Sequence, residues 1–180
     1  MKPEVRILVI HLHFAFMISF QQAREIAEKE IQNYHFKPDL EIIIVETEII
    51  EKPYAWIFPY TSKRWLEGDL NYGIAGNAPL FIDKKDGRVS TFRTGLDIEG
   101  MIESYEEKNQ IWVLKIPTLT YSDTKKLLAL KGHLKLEQKD MMNLKSKNSE
   151  IVATGSKAKL ERLSSLLGSS NIDSEIVMNS

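Results

Sequence analysis

The sequence predicts an α+β protein of two domains, an α-β-β-β-β-α domain with an antiparallel sheet followed by a small β-α-α-β-α-β domain. Two patterns predict the class: apolar residues recur at helical spacing behind capping signals, and they alternate in short runs separated by turn residues. The division rests on a polar break at Lys108-Asn109-Gln110 and on charge. Residues 17–108 carry 11 basic and 17 acidic side chains, whereas residues 111–180 carry 11 and 7.

Residues 1–16 read as an apolar N-terminal extension. The run Ile7 to Phe20 behind Lys2 and Arg6 has the outline of a secretory signal, but His11 and His13 interrupt it and no small-x-small cleavage site follows. The run is also shorter than the roughly 18–20 residues that cross a bilayer. A start codon misassigned upstream of Met17 is favoured over a signal or anchor. Ser19 with Gln22 then forms a capping-box pattern, and Ala23, Ile26, Ala27, Ile31 and Tyr34 continue as an amphipathic helix to about His35. After Pro38, the run Ile42 to Val45 and the alternation Glu46 to Ile50 read as a strand, and Trp56, Phe58 and Tyr60 as its hairpin partner.

Periodicity is lost between Thr61 and Ala78, although Trp65, Leu66, Leu70, Tyr72 and Ile74 keep that stretch apolar. A long segment of this kind packs over a core or carries function, and Gly68, Gly73 and Gly76 supply turn freedom. Gly76-Asn77-Ala78-Pro79 lacks phosphate-loop spacing and reads as a turn. Leu80 to Ile82 and the strand from Val89 form a second hairpin around Asp83 to Gly87. Asp97 caps a helix with Ile98, Met101, Ile102 and Tyr105 on one stripe and Glu99, Glu103, Glu106 and Glu107 expected to face water. This helix and the first are expected to cover the apolar face of a single four-stranded sheet.

In the second half, Ile111 to Ile116 reads as a strand, and a helix capped by Ser122 carries Leu127, Leu128 and Leu130 to Gly132. A second helix follows over about 136–145. A strand at Glu150 to Ala153, a helix capped by Ser156 and a strand at Asp173 to Met178 complete the order.

The run Tyr54 to Tyr60, Ser62-Lys63, Ala75 to Pro79, Asp83 to Val89 and Thr94-Gly95 together resemble the immunity protein 35 family over about residues 17–108. The resemblance implies a small α+β immunity protein of bacterial polymorphic-toxin systems that neutralises a cognate toxin by direct binding. It supplies no catalytic residue; its matched positions Trp56, Gly76, Asn77, Pro79 and Gly87 read as core and turn residues. Over residues 111–177, the element order, Gly132 to Met142 and Gly155-Ser156-Lys157 resemble the C-terminal domain of the bacterial ribosomal stalk protein L7/L12. That likeness implies a compact docking module for another protein.

Zero cysteines exclude disulfides, thiolate metal sites and cysteine nucleophiles, and fit a reducing, cytoplasmic setting. No metalloprotease, hydrolase or phosphate-loop motif is present, so no catalytic residue, metal or cofactor is expected. The pair His11 and His13 lacks a third ligand, and His35 and His133 near helix ends read as capping or solvated. Glu46 and Glu48, expected on one strand face, read as solvated rather than as an acid–base pair. Lys125, Lys126, Lys131, Lys135, Lys139, Lys145 and Lys147 lack interleaved aromatics, so they are read as solvated and not as a nucleic-acid site. Trp65, Glu67, Asp69 and Tyr72 form the candidate partner-binding set, an aromatic anchor among carboxylates that suits a basic protein. The competing reading has Trp65 and Tyr72 pinning the segment to the core. A non-enzymatic, cytoplasmic immunity protein without stable membrane insertion is thus expected. A chaperone-like or adaptor protein with several partners is the alternative, and a carboxylate-dependent small hydrolase a third class.

Overall fold

The computed structural model describes residues 17–34 and 40–179, in two compact units divided between Thr94 and Gly95. The extension at residues 1–16, with His11 and His13, and the residues His35 and Pro38 lie outside the described residues. Helices and antiparallel sheets make this an α+β protein.

The first unit opens with α1, Phe20–Asn33. Its capping box is complete: Gln22 N–H donates to Ser19 Oγ at 3.3 Å and Ser19 N–H to Gln22 Oε1 at 2.9 Å, satisfying donors the helix leaves open. Six strands follow: β1 (Ile42–Ile44), β2 (Ile50–Glu51), β3 (Ala55–Phe58), β4 (Tyr60–Ser62), β5 (Leu80–Asp83) and β6 (Val89–Ser90). Both expected hairpins form and share a sheet, but the first is split along its length and one part of it leaves that sheet. β2-β3-β5-β6 make a four-stranded sheet and β1-β4 a separate two-stranded ladder.

The break lies at Pro59. Glu46 to Ile50 does not continue as a strand; Glu46–Glu48 is a 3-10 turn instead. Pairing runs to Ile44↔Tyr60 and resumes at Ile50↔Ile57, so the turn is an insertion on one strand only. Proline has no N–H to give the facing chain, and an interrupted ladder admits extra residues. Glu46 and Glu48 therefore share no strand face. Glu46 turns to the Arg24 guanidinium, with the Nη1 contact at 3.2 Å.

Ala23, Ala27 and Ile31 of α1 pack on Ile44, Phe58, Tyr60, Leu80 and Ile82; the two alanines let the helix backbone approach the sheet closely. Phe20 meets Trp56 edge-on at 4.9 Å, and the Lys84 ammonium lies 4.2 Å from the Trp56 ring centroid and 2.7 Å from Glu51. Burial, reinforced by Tyr34, pushes the Tyr60 hydroxyl up to about 12.

The second unit contains α3 (Ile98–Asn109), β7 (Trp112–Lys115), α4 (Thr124–His133), α5 (Gln138–Ser146), β8 (Ile151–Gly155), α6 (Lys157–Gly168) and β9 (Glu175–Met178). After α3 the order is the expected β-α-α-β-α-β. Its antiparallel sheet has the order β8-β7-β9, and Leu114, Ile116, Leu130, Met141, Leu160 and Leu167 fill its core. Asp123, not Ser122, caps α4, because residues Thr118–Ser122 are already a 3-10 turn.

The main correction concerns α3. It packs on β8 and α6 within the second unit, and its carboxylates do not all face water. Glu106, 6% exposed, accepts from Lys157 N–H at 2.8 Å, and Glu107 accepts from Ser156 N–H at 2.9 Å. Glu107 also pairs with Lys159, and Glu103 with Arg162 at 2.7 Å. A helix N-terminus presents unpaired N–H groups and a partial positive charge, so carboxylates there are stabilised. Gly155 makes room for them: its φ is +147°, and a Cβ added to it would collide with the Glu107 carboxylate.

Gly155→Ala displaces Glu107 and strains the backbone, and should lower the stability of the second unit by ~1–3 kcal/mol in urea unfolding. Lys159 and the Ser156 N–H hold the Glu107 carboxyl below its ordinary value of 4.5, so its stabilisation is complete above pH 4.5 and lost as pH falls through the lowered value. Glu107→Gln should flatten that acid limb. Tyr60 has the opposite sign: with its hydroxyl raised from 10.0 to about 12, the stabilisation is intact below pH 10 and lost between pH 10 and 12. Burial raises Tyr34 and Tyr121 as well, so phenolate absorbance should show several late-titrating tyrosines, and Tyr60→Phe should remove the phase near pH 12.

Candidate functional site

The stretch between β4 and β5 is not the featureless loop expected from its lost periodicity. It holds a one-turn helix, α2 (Lys63–Leu66), and a 3-10 turn at Leu70–Tyr72. Ser62 caps α2, accepting from Trp65 N–H at 3.2 Å, while its hydroxyl donates to the Tyr72 carbonyl. One buried serine thus ties the two ends of the excursion together. Asp69 Oδ1 caps the 3-10 turn, accepting from Asn71 N–H at 3.2 Å.

The four candidate residues divide by role. Tyr72 is half-buried under the Arg64 guanidinium, 4.3 Å from its ring centroid, and serves to hold the segment. Asp69 spends one oxygen on the turn. Glu67 is exposed. Trp65 is 42% exposed, and an added Cβ at Gly73 would stand 3.0 Å from its six-membered ring. Gly73 is therefore present for close packing, its φ of −63° being open to any residue. Trp65 both pins the segment and faces solvent.

Sequence reasoning omitted Leu66 and Leu70 from the set, although they are 52% and 74% exposed. Their signal was visible as leucines in a stretch without periodicity, where no helical or strand face exists to bury them. Beside them lies a cleft of about 370 Å³ lined by Glu48, Tyr60, Thr61, Trp65, Gly73 and Asn77 among others. Asn77 forms part of its wall by donating from Nδ2 to the Tyr60 carbonyl at 2.5 Å. Gly76 (φ +84°) precedes it in the turn and half-buried Pro79 follows. Farther off, Gly87 (φ +72°) closes the β5–β6 hairpin under Ile26, and Trp56 lies on α1.

The other candidates stay apart from this site. His133 Nε2 lies 2.9 Å from Ser170 Oγ within the second unit. The lysines of α4 and α5 are exposed or half-buried. Among the described residues no group of three or more His, Cys, Asp or Glu is arranged to hold a metal ion, and no helix is long and apolar enough to cross a membrane. The arrangement suits recognition: apolar side chains, exposed carboxylates and a cleft on a segment fixed from beneath.

Residues 21–106 match the model of the immunity protein 35 family. The uncharacterized protein YrhB of Escherichia coli (strain K12) is 32% identical over 75 residues, which cover 41% of this chain and 80% of the relative. No solved structure gives a significant match. Through this segment, which contains α1, the six strands and the Trp65 excursion, the chain belongs to the immunity protein 35 family.

Proposed function

We propose that the protein is a cytoplasmic, non-enzymatic immunity protein that neutralises a cognate polymorphic toxin by occluding it. Family membership supports an immunity role, and one observation carries the choice of surface. Trp65, Leu66 and Leu70 are exposed together on a short excursion that also bears Glu67 and Asp69. Large apolar side chains left in water beside charge mark interaction sites, and aromatic anchors dominate binding energy. The excursion is tied down by Ser62, Asp69 and Arg64, so little entropy is lost in ordering it on a partner.

In this proposal residues 17–108 supply immunity and residues 111–180 act as a module for docking another protein, as the stalk-protein resemblance implies. α3 belongs to the first by sequence and to the second by packing. Lys125, Lys126, Lys131, Lys135, Lys139, Lys145 and Lys147 are assigned to solvent rather than to nucleic acid, because no aromatic side chain is interleaved with them.

The test is co-expression with the product of the adjacent gene, with growth and pull-down as readouts. Trp65→Ala and Leu70→Ala should each weaken the complex by more than about tenfold, as loss of a buried anchor does, while leaving circular dichroism unchanged. Glu67→Lys is the cleaner charge reversal, since Asp69→Lys also removes the cap of the 3-10 turn. Unaltered affinity in all of these variants would reject the surface. Binding at similar strength to many unfolded chains would favour a chaperone-like adaptor instead.

A further inference from the structure

The cleft beside Trp65 has a consistent chemical character. Its walls are Val45, Glu48, Pro59, Tyr60, Thr61, Trp65, Leu66, Gly73, Ile74 and Asn77; they include one carboxylate and no lysine, arginine or histidine. Three cations of the first unit, Arg24, Lys63 and Arg64, are engaged elsewhere. Lys63 pairs with Glu41 at 3.1 Å, Arg64 lies over Tyr72, and Arg24 bridges Glu28 and Glu46. Among the described residues Glu48 has no salt-bridge partner, although Glu46, two residues earlier on the same turn, does.

Asn77 adds to this character. One of its Nδ2 hydrogens goes to the Tyr60 carbonyl, which fixes the amide plane, and its side-chain oxygen is able to accept from a ligand. The cleft thus combines a free carboxylate, an amide oxygen and a partly exposed indole with aliphatic walls, in a volume at the small end of the roughly 300–1,000 Å³ typical of ligand pockets. A long apolar stem ending in a planar cation meets each of these groups at once. Guanidinium stacks on an aromatic face and donates in a fork to a carboxylate, which an ammonium does less well.

We propose that this cleft is a receptor for an arginine side chain, which the partner protein inserts against Glu48 and Trp65. The inference deepens the toxin-binding reading and rests on it for the source of the arginine, but the pocket is testable without the toxin. It also separates two functions within the excursion: Leu70 and Glu67 form an outer contact, and the cleft supplies the register that selects one partner.

The experiment titrates N-acetyl-arginine amide into the isotope-labelled full-length protein, following backbone amide and Trp65 indole resonances. Saturable shifts confined to Glu48, Thr61, Trp65, Gly73 and Asn77, with a dissociation constant on the order of 10 mM, are expected for one exposed ion pair with a stacked ring. Glu48→Gln, at an exposed position that leaves the fold intact, should weaken binding about two- to fivefold. The lysine amide should bind severalfold more weakly, and the uncharged norleucine amide should produce no saturable shift. Equal binding of norleucine amide and arginine amide, unchanged binding in Glu48→Gln, or shifts centred elsewhere would each overturn the proposal. Cell protection reads the other layer. Glu48-dependent arginine binding in a protein that does not protect would keep the pocket and remove the immunity reading. Protection and toxin affinity unchanged by Glu48→Lys would overturn the cleft as the partner's anchor point.

Discussion

Proline cannot donate a hydrogen bond, and at position 59 that one deficit organises the first unit. The ladder between the first two long strands stops there, Val45 N–H reaches the Pro59 carbonyl at 2.9 Å, and the opposite strand takes up three extra residues as a 3-10 turn. The Tyr60 carbonyl beside the break receives the Asn77 amide. Backbone polar groups near a core must find partners, and here a side chain takes the place of a strand. The cleft is the space left by these substitutions: Val45, Glu48, Pro59, Tyr60 and Asn77 all line it. Without the interruption, Glu48 would be a strand residue with no relation to Trp65.

The uneven charge of the two halves has a different cause from the one the sequence implied. Divided at Lys108, the chain looks like an acidic domain followed by a basic one. Divided where the compact units part, residues 1–94 hold 12 basic and 13 acidic side chains and residues 95–180 hold 12 and 12. The asymmetry is generated by α3. Its glutamates lie before the polar break but find their partners after it, at the N-terminus of α6, on Lys159 and on Arg162. A charge imbalance between sequence segments can therefore mark two surfaces that meet.

Much of the architecture was legible because its signals are local. The Ser19–Gln22 box, the hairpin turn ending at Gly87, the Ser156 cap and the leucine stripe of α6 each act over a few residues, and the corresponding elements form. Other features depended on distant residues. Glu46 to Ile50 alternates like a strand, and only the facing proline turns it into a 3-10 turn. Glu106 has the spacing of a solvated face and is buried by a helix about fifty residues away. At the candidate site, Trp65, Glu67, Asp69 and Tyr72 were found from composition, but their roles were not. Tyr72 and Asp69 hold the excursion, Trp65 both holds and presents, and Glu48 enters the site from a segment that reads as strand.

The clasp at α6 is built in two layers that respond differently to the medium. Lys159 and Arg162 are largely exposed partners, and mobile ions weaken such pairs over a screening length of about 8 Å at physiological strength. Glu106, sealed against the Lys157 N–H, is beyond the reach of that screening. Concentrated electrolyte would therefore loosen the rim first and leave the centre engaged, giving this joint a graded rather than all-or-none response to ionic strength.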